Sequence, residues 1–164
     1  QNFPDALSAT AAAGAIGAPV LLVSGSSASV DAATMDLLAD LGTTTIRIAG
    51  GVNSVSSGIQ NQLSGAGYAV TRSSGADRYE AGATLNLNAF TTASTVYIAS
   101  GANFPDALAG AALAGGAGMP LFLASPGCIP ESVSRAITAL GPTQIVLLGG
   151  PASLSAAVAS YQRC

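Results

Sequence analysis

The sequence predicts an α/β protein built from two tandem units, each a small, mostly parallel sheet flanked by helices. Three observations carry this. Short apolar runs rich in β-formers alternate with segments of helical pattern, and that order recurs along the 164 residues. The composition, 49% hydrophobic and only 8% charged, supplies enough apolar surface for a compact core, and the twenty glycines and low aromatic content make that core one of small side chains. Strand and helix in alternation give parallel pairing with right-handed crossovers.

The elements are clearest in the second half. Thr95 to Ala99 (TVYIA), Leu121 to Ala124 (LFLA) and Gln144 to Leu148 (QIVLL) read as strands buried on both faces. Between them, Pro105 to Ala114 and Pro130 to Leu140 have helical pattern, each opened by a proline suited to a first helical position. In the first half the matching pieces are a helix from Pro4 to Ala13, a strand Val20 to Val23, a helix Val30 to Leu41 and a strand Thr45 to Ala49. A helix at about Ser54 to Leu63 and a strand Tyr68 to Thr71 follow.

The repeat itself is explicit. Asn2-Phe3-Pro4-Asp5-Ala6-Leu7 returns 101 residues on as Asn103-Phe104-Pro105-Asp106-Ala107-Leu108, and Gly14, Gly17 and Pro19 return as Gly115, Gly118 and Pro120. Further along, Leu41-Gly42 and Gly50-Gly51 return 99 residues on as Leu140-Gly141 and Gly149-Gly150, so the second copy has lost two residues between Pro120 and Gly141. The boundary falls at Ser73-Ser74-Gly75, giving a first repeat over 1–74 and a second over 75–164. The first copy starts without the strand and helix that open the second, and the second ends without the strand that closes the first. A central strand position left empty would strand backbone donors without partners, so the expectation is that a segment upstream supplies it.

Several functions are excluded by composition. Five arginines, no lysine and a net charge of −3 make no basic field for nucleic acid. The apolar stretch Ala9 to Val23 is short of the ~20 residues of a membrane span and is divided by Pro19. It lacks a basic leader, so an export signal would lie upstream of Gln1. The absence of histidine removes the commonest general base, and the cysteines and carboxylates show no metal-ligand spacing. The turn Ala99-Ser100-Gly101-Ala102-Asn103 stands where α/β sheets bind ligands, yet it has neither G-x-G-x-x-G nor a Lys-Ser/Thr ending. No cofactor and no catalytic residue are expected. Cys128 and Cys164 permit one disulfide and equally permit buried free thiols.

The residues with a definite physical role cluster in two motifs. In the repeated hexapeptide, Asn103 is suited to cap the helix, Pro105 to preset its first turn, Asp106 to face its positive end and Phe104 to pack as a staple. Asn2 and Asp5 occupy the same positions in the first copy. Asp5 and Asp106 as an acid–base pair across a cleft is the less favoured reading, because both hold the same capping position. In Gly75-Ala76-Asp77-Arg78-Tyr79-Glu80, Asp77 is a natural N-cap and Glu80 stands three residues on, as in a capping box. Arg78 can fork onto a ligand's carboxylate or phosphate, or onto an acidic residue of the neighbouring copy, the second being favoured. The small residues of Ala107 to Gly118 allow close backbone approach.

These motifs together, with the strand running into Ser100-Gly101 and the one ending in Gly149-Gly150 and Ser153, resemble the cell wall-binding repeat type 2 family of Gram-positive surface proteins. The resemblance covers the chain in two copies. It implies Rossmann-like or Toprim-like units, non-covalent retention at the wall through an anionic polysaccharide or teichoic-type polymer, and no reaction. It also implies a secreted, cell-surface location and packing against further copies, usually three in tandem. Asp77, Arg78, Tyr79, Asn103, Asp106, Asn2 and Asp5 are the candidate ligand-binding residues. A net negative protein would meet such a polymer through local arginines, Arg47, Arg72 or Arg78, or through bridging cations. The resemblance also favours a Cys128–Cys164 disulfide, which requires the last residues to turn back. The alternatives are a self-assembling surface-layer protein and, more weakly, a nucleotide- or sugar-binding Rossmann-like enzyme.

Overall fold

A computed structural model of the chain describes residues 4–164. The elements run α1 (Pro4–Ala15), α2 (Ala32–Asp40), β1 (Thr45–Ala49), α3 (Ser57–Gly65), β2 (Ala69–Ser73), α4 (Arg78–Ala89), β3 (Thr95–Ser100), α5 (Pro105–Ala117), β4 (Leu121–Ala124), α6 (Glu131–Leu140), β5 (Gln144–Leu148) and α7 (Ala156–Ala159). They form two parallel sheets, a pair β1-β2 and a triple in the order β4-β3-β5. The predicted fold class is the one observed. Strands β1, β4 and β5 have the bounds read from the sequence.

The triple sheet is the better-covered one. β3 lies between its neighbours, with Tyr97 to Ser100 registered against Leu121 to Ala124 and Thr95 to Ala99 against Gln144 to Leu148. Val96, Ile98 and Phe122 face Val133, Ala136 and Ile137 of α6, while Ala99, Leu121 and Leu123 face Ala107, Ala111 and Ala114 of α5. The alanines are what let α5 lie close to the sheet, as a low-aromatic sequence requires.

One predicted strand is absent. Residues 20–23 belong to no ladder, whereas their counterparts 121–124 form β4. The reason is pairing: β4 is held by β3, and no described strand lies beside residues 20–23. A run of β-formers gains its hydrogen bonds only from a neighbour, so propensity alone does not make a strand here.

The helix starts divide between expected and unexpected. Asp77 caps α4, its Oδ1 accepting from Tyr79 N–H and Glu80 N–H at 2.8 Å each, and Glu80 Oε2 accepts from Ala76 N–H at 2.7 Å. That reciprocal pair is the capping box, shifted by one donor. At α5 the sequence reading is corrected. Phe104, not Asn103, occupies the cap position, no side chain caps the helix, and Phe104 is 69% exposed rather than packed as a staple. Pro105 removes one of the donors a cap would serve, which lessens the need for one.

By sequence α1 opens the first copy, yet it packs on α4 and α5 of the second. Leu7 and Ala11 join Ala107, Ala111 and Ala114 in one buried cluster. The helices meet at Gly14 and Gly115, equivalent positions of the two copies, where a Cβ on Gly14 would stand 2.6 Å from Gly115 Cα. The end of the chain is tied back. Tyr161 takes a positive φ of 61°, after which Gln162 O accepts from Ile129 N–H and Cys164 N–H donates to Ile129 O. This turn brings Cys164 to Cys128, and the two are joined in a disulfide.

Candidate functional site

The polar residues singled out by sequence gather at the C-terminal edges of the two sheets, where parallel strands hand over to helices. The arrangement is the same in both copies. β1 is followed by Gly50 and β5 by Gly149, with φ of 107° and 112°. Asp5 Oδ2 lies directly against Gly50 Cα and Asp106 Oδ2 against Gly149 Cα, so that a Cβ at either glycine would collide with the carboxylate. Ser54 and Ser153 close the other side of the same contacts. The following turns also match: Ser54 N–H and Val55 N–H donate to Gly51 O, and Ser153 N–H and Leu154 N–H donate to Gly150 O.

Asp106 is therefore seated on the end of a neighbouring strand rather than turned to solvent beyond its own helix, and Asp5 repeats the contact. They stand at the ends of different sheets, each seated on the glycine of its own copy. Gly50, Gly149, Ser54 and Ser153 are the partners that residue-by-residue reading missed. Their signal was the fixed spacing of the glycine pair and serine in both copies.

Arg78 and Tyr79 converge on the next strand end of the triple sheet. Arg78 Nη1 donates to Gly101 O at 2.7 Å, and the Tyr79 ring covers Gly101 so closely that a Cβ there would stand 2.6 Å from Cε1. The favoured pairing of Arg78 with an acidic residue is not what forms; the partner is a carbonyl at the end of β3. A guanidinium carries five N–H donors, so this contact fixes Arg78 in place and leaves donors for a second partner. Asn103 is exposed beside this point with no hydrogen bond among the described residues, and Asn2 lies outside the described residues. Asp77 is engaged as a cap and sits at the rim.

The other arginines differ in availability. Arg72 spends its guanidinium internally, donating to Gln60 Oε1 at 2.9 Å and Gly50 O at 2.8 Å, and burial pushes its pKa below the ordinary value. Arg47 is exposed, with a long 3.5 Å contact to Asn88 O. Arg135 and Arg163 both lie against Glu131. Among the described residues no group of three or more His, Cys, Asp or Glu is placed to hold a metal ion. No described helix is long and apolar enough to cross a membrane.

Two copies of one α/β unit, with the same carboxylate seated on the same strand end, define a repeat protein whose ordered polar groups present a surface. The sequence gives this class a family. The chain belongs to the Cell wall binding domain 2 (CWB2) family, whose profile it matches over residues 1–60 and 72–159. The family is one of wall-binding modules, and it makes the chain part of a secreted, wall-associated protein.

Relatives agree with this. N-acetylmuramoyl-L-alanine amidase LytC of Bacillus subtilis (strain 168) is 28% identical over 144 residues, covering 88% of this chain and 28% of that enzyme. Cwp6 from Clostridium difficile superposes with a TM-score of 0.84 at 29% identity, covering 93% of this chain and 24% of that one. Cwp8 from Clostridium difficile shares the fold with a TM-score of 0.78 at 24% identity, over 96% of this chain and 27% of that one. The chain thus spans about a quarter of the length of each.

Proposed function

We propose that the chain holds a secreted protein at the wall by binding an anionic polysaccharide or teichoic-type polymer, and that it does so without catalysing a reaction. The observation that carries the reading is the paired seating of Arg78 and Tyr79 on Gly101 at the end of β3. It places a fixed cation and an aromatic face side by side at the edge where α/β sheets bind ligands. Such a pair suits a sugar ring bearing a negative group, the guanidinium forking onto the anion and the ring stacking on the sugar. Asp77, Asn103 and Asp106 form the rim, with Asp5, and Asn2 by the repeat, at the matching place in the first copy. The amidase activity named for the Bacillus relative belongs to a protein about three times as long and is not assigned to this module.

The test is retention on purified cell walls before and after the anionic polymer is stripped. Binding is expected to fall at least tenfold on stripping, and also in Arg78→Ala, which loses the fixed charge. Unchanged retention on stripped walls refutes the reading.

Further copies of the module are the second partner we infer, with repeats over 1–74 and 75–164 as the units. The observation is on α5. Leu108 and Leu113 are 59% and 53% exposed, while the equivalent face of α1, from Leu7 through Ala11 and Ala12, is buried on the second copy. A face covered in one repeat and open in the other fits a head-to-tail association. This also keeps the self-assembling alternative open to test.

A further inference from the structure

Helices α3 and α7 hold the same place in the two repeats and start alike. Ser56 N–H donates to Gly25 O and Ser155 N–H to Pro126 O, both at 2.8 Å, and Ile59 and Val158, 99 residues apart, are both buried. Beyond this point they part. α3 has nine residues and α7 has four.

Propensity does not explain the difference. α3 (SGIQNQLSG) carries Gly58 and Gly65 and is helical throughout, whereas residues 156–164 (AAVASYQRC) hold no glycine or proline and leave the helix at Ser160. The turn that ends each helix does not explain it either. After α3 it is a Schellman turn with Gly67 at φ 95°, where Gly67 N–H donates to Ser64 O and Tyr68 N–H to Leu63 O. After α7 the same turn has Tyr161 N–H on Val158 O and Gln162 N–H on Ala157 O, but its left-handed residue is a tyrosine, at φ 61°. A bulky side chain is disfavoured there, so the turn is held from outside the segment.

Ile129 and Cys128 do the holding. Ile129 N–H donates to Gln162 O at 2.8 Å, Cys164 N–H donates to Ile129 O at 3.1 Å, and Cys128 is bonded to Cys164. In the first repeat the residue equivalent to Ile129 is Val30, and its N–H and C=O are met by the side-chain amide of Gln62, at 2.8 and 3.4 Å, from a helix that runs on. That backbone position therefore needs partners, but it does not need a chain that turns back. The first repeat has Ser29 and Gly65 where the second has its two cysteines, and there the helix is complete. Cys164 is exposed and Cys128 half-buried, which leaves the bond open to an external thiol.

We propose that the disulfide is a redox latch that selects between two seats for residues 160–164. Oxidised, they lie along Ile129. Reduced, they continue α7 on the path of residues 61–65 and bring it to the length of α3. The reductant is a dithiol. Exchange breaks the Sγ–Sγ bond, leaves a proton on each cysteine sulfur and closes the dithiol into its own cyclic disulfide, so two electrons and two protons pass to the protein. The latch closes on the loop after β4, whose last residue, Ala124, accepts from Gly101 N–H. It thus works at the sheet edge that carries Arg78 and Tyr79.

Backbone NMR of the chain is compared before and after dithiothreitol, and with a double variant, Cys128→Ser with Cys164→Ser, that needs no reductant. Helical shifts are expected across residues 160–164 in both, with exchange at the Ile129 amide at least tenfold faster and exchange in β3 and β4 changed less than twofold. Tyr161→Gly removes the cost of the positive φ and is expected to keep the segment on Ile129 after reduction. Unchanged shifts and protection after reduction overturn the proposal, and so do shifts that become random-coil without turning helical. Loss of protection throughout β3 and β4 in both the reduced chain and the double variant overturns it as well, because the disulfide would then hold the whole repeat rather than choose the seat of one segment.

Discussion

Gly149 meets two demands at once: its φ is 112°, and Asp106 Oδ2 fills the space where a Cβ would stand. Gly149→Ala must strain the backbone and displace the carboxylate, so a loss of about 1–3 kcal/mol is expected in urea unfolding. Gly150→Ala is the control, with a negative φ region and nothing within 4 Å of its Cβ, and should stay within about 0.5 kcal/mol of the parent. A second effect at this scale is electrostatic. The Thr34 hydroxyl and then the Thr34 N–H favour the charged form of Asp31, holding its pKa below the ordinary 3.8. For a carboxylate with a lowered folded value, the cap is fully formed above the ordinary range and is lost as pH falls through the lowered one. The Thr34 amide shift, followed by NMR, is expected to titrate with a midpoint under 3.8. The capping role of Asp77 was legible in the sequence because a cap is a local interaction of spacing two and three. The seating of Asp106 on Gly149 was not, because it joins a helix start to a strand end 43 residues away.

Among the elements, α1 shows how a repeat constrains packing. It crosses α5 at Gly14 and Gly115, where the backbones are too close for any side chain on the first glycine. Gly14→Ala is expected to cost about 1–3 kcal/mol by overpacking and to raise amide exchange throughout α1. Gly116→Ala, one residue along and with nothing within 4 Å, should instead stabilise α5 by up to about 1 kcal/mol through helix propensity alone. Opposite shifts in Tm from adjacent-looking glycines would confirm that one marks a crossing and the other does not. The small-residue pattern of Ala107 to Gly118 signalled close approach, but which helix would approach was a question of tertiary arrangement. Residues 20–23 carry the converse lesson. Their strand propensity was readable and their lack of a ladder partner was not a property of the segment.

At the scale of the whole molecule, the two repeats share their motifs and differ in cover, and α5 displays the face that α1 buries. If that face is a docking surface, the chain should show concentration-dependent association by sedimentation, and Leu108→Asp should abolish it while leaving Tm within a few degrees; a monomer at every concentration would count against it. The alternation of strands and helices, and hence the parallel sheets, came from the apolar runs; burial on both faces holds for β4 and most of β3, whereas β5, read the same way, is an edge strand with Gln144 and Ile145 exposed and the rest half-buried. The path of the last residues came from no pattern, because Tyr161 has to adopt a positive φ that its residue type does not announce. That turn has a mechanical consequence. A pull on the backbone at Cys164 is delivered through the disulfide to Cys128, beside the mouth of α6, and bypasses everything between them. Helix α6, strand β5 and helix α7 lie inside a covalent loop of sequence separation 36 that tension at that point does not lengthen. For a module that holds a protein on a wall under shear, the turn at Gly149 lies inside that loop and is shielded, whereas Asp106, ahead of Cys128, stays on the path that carries the load.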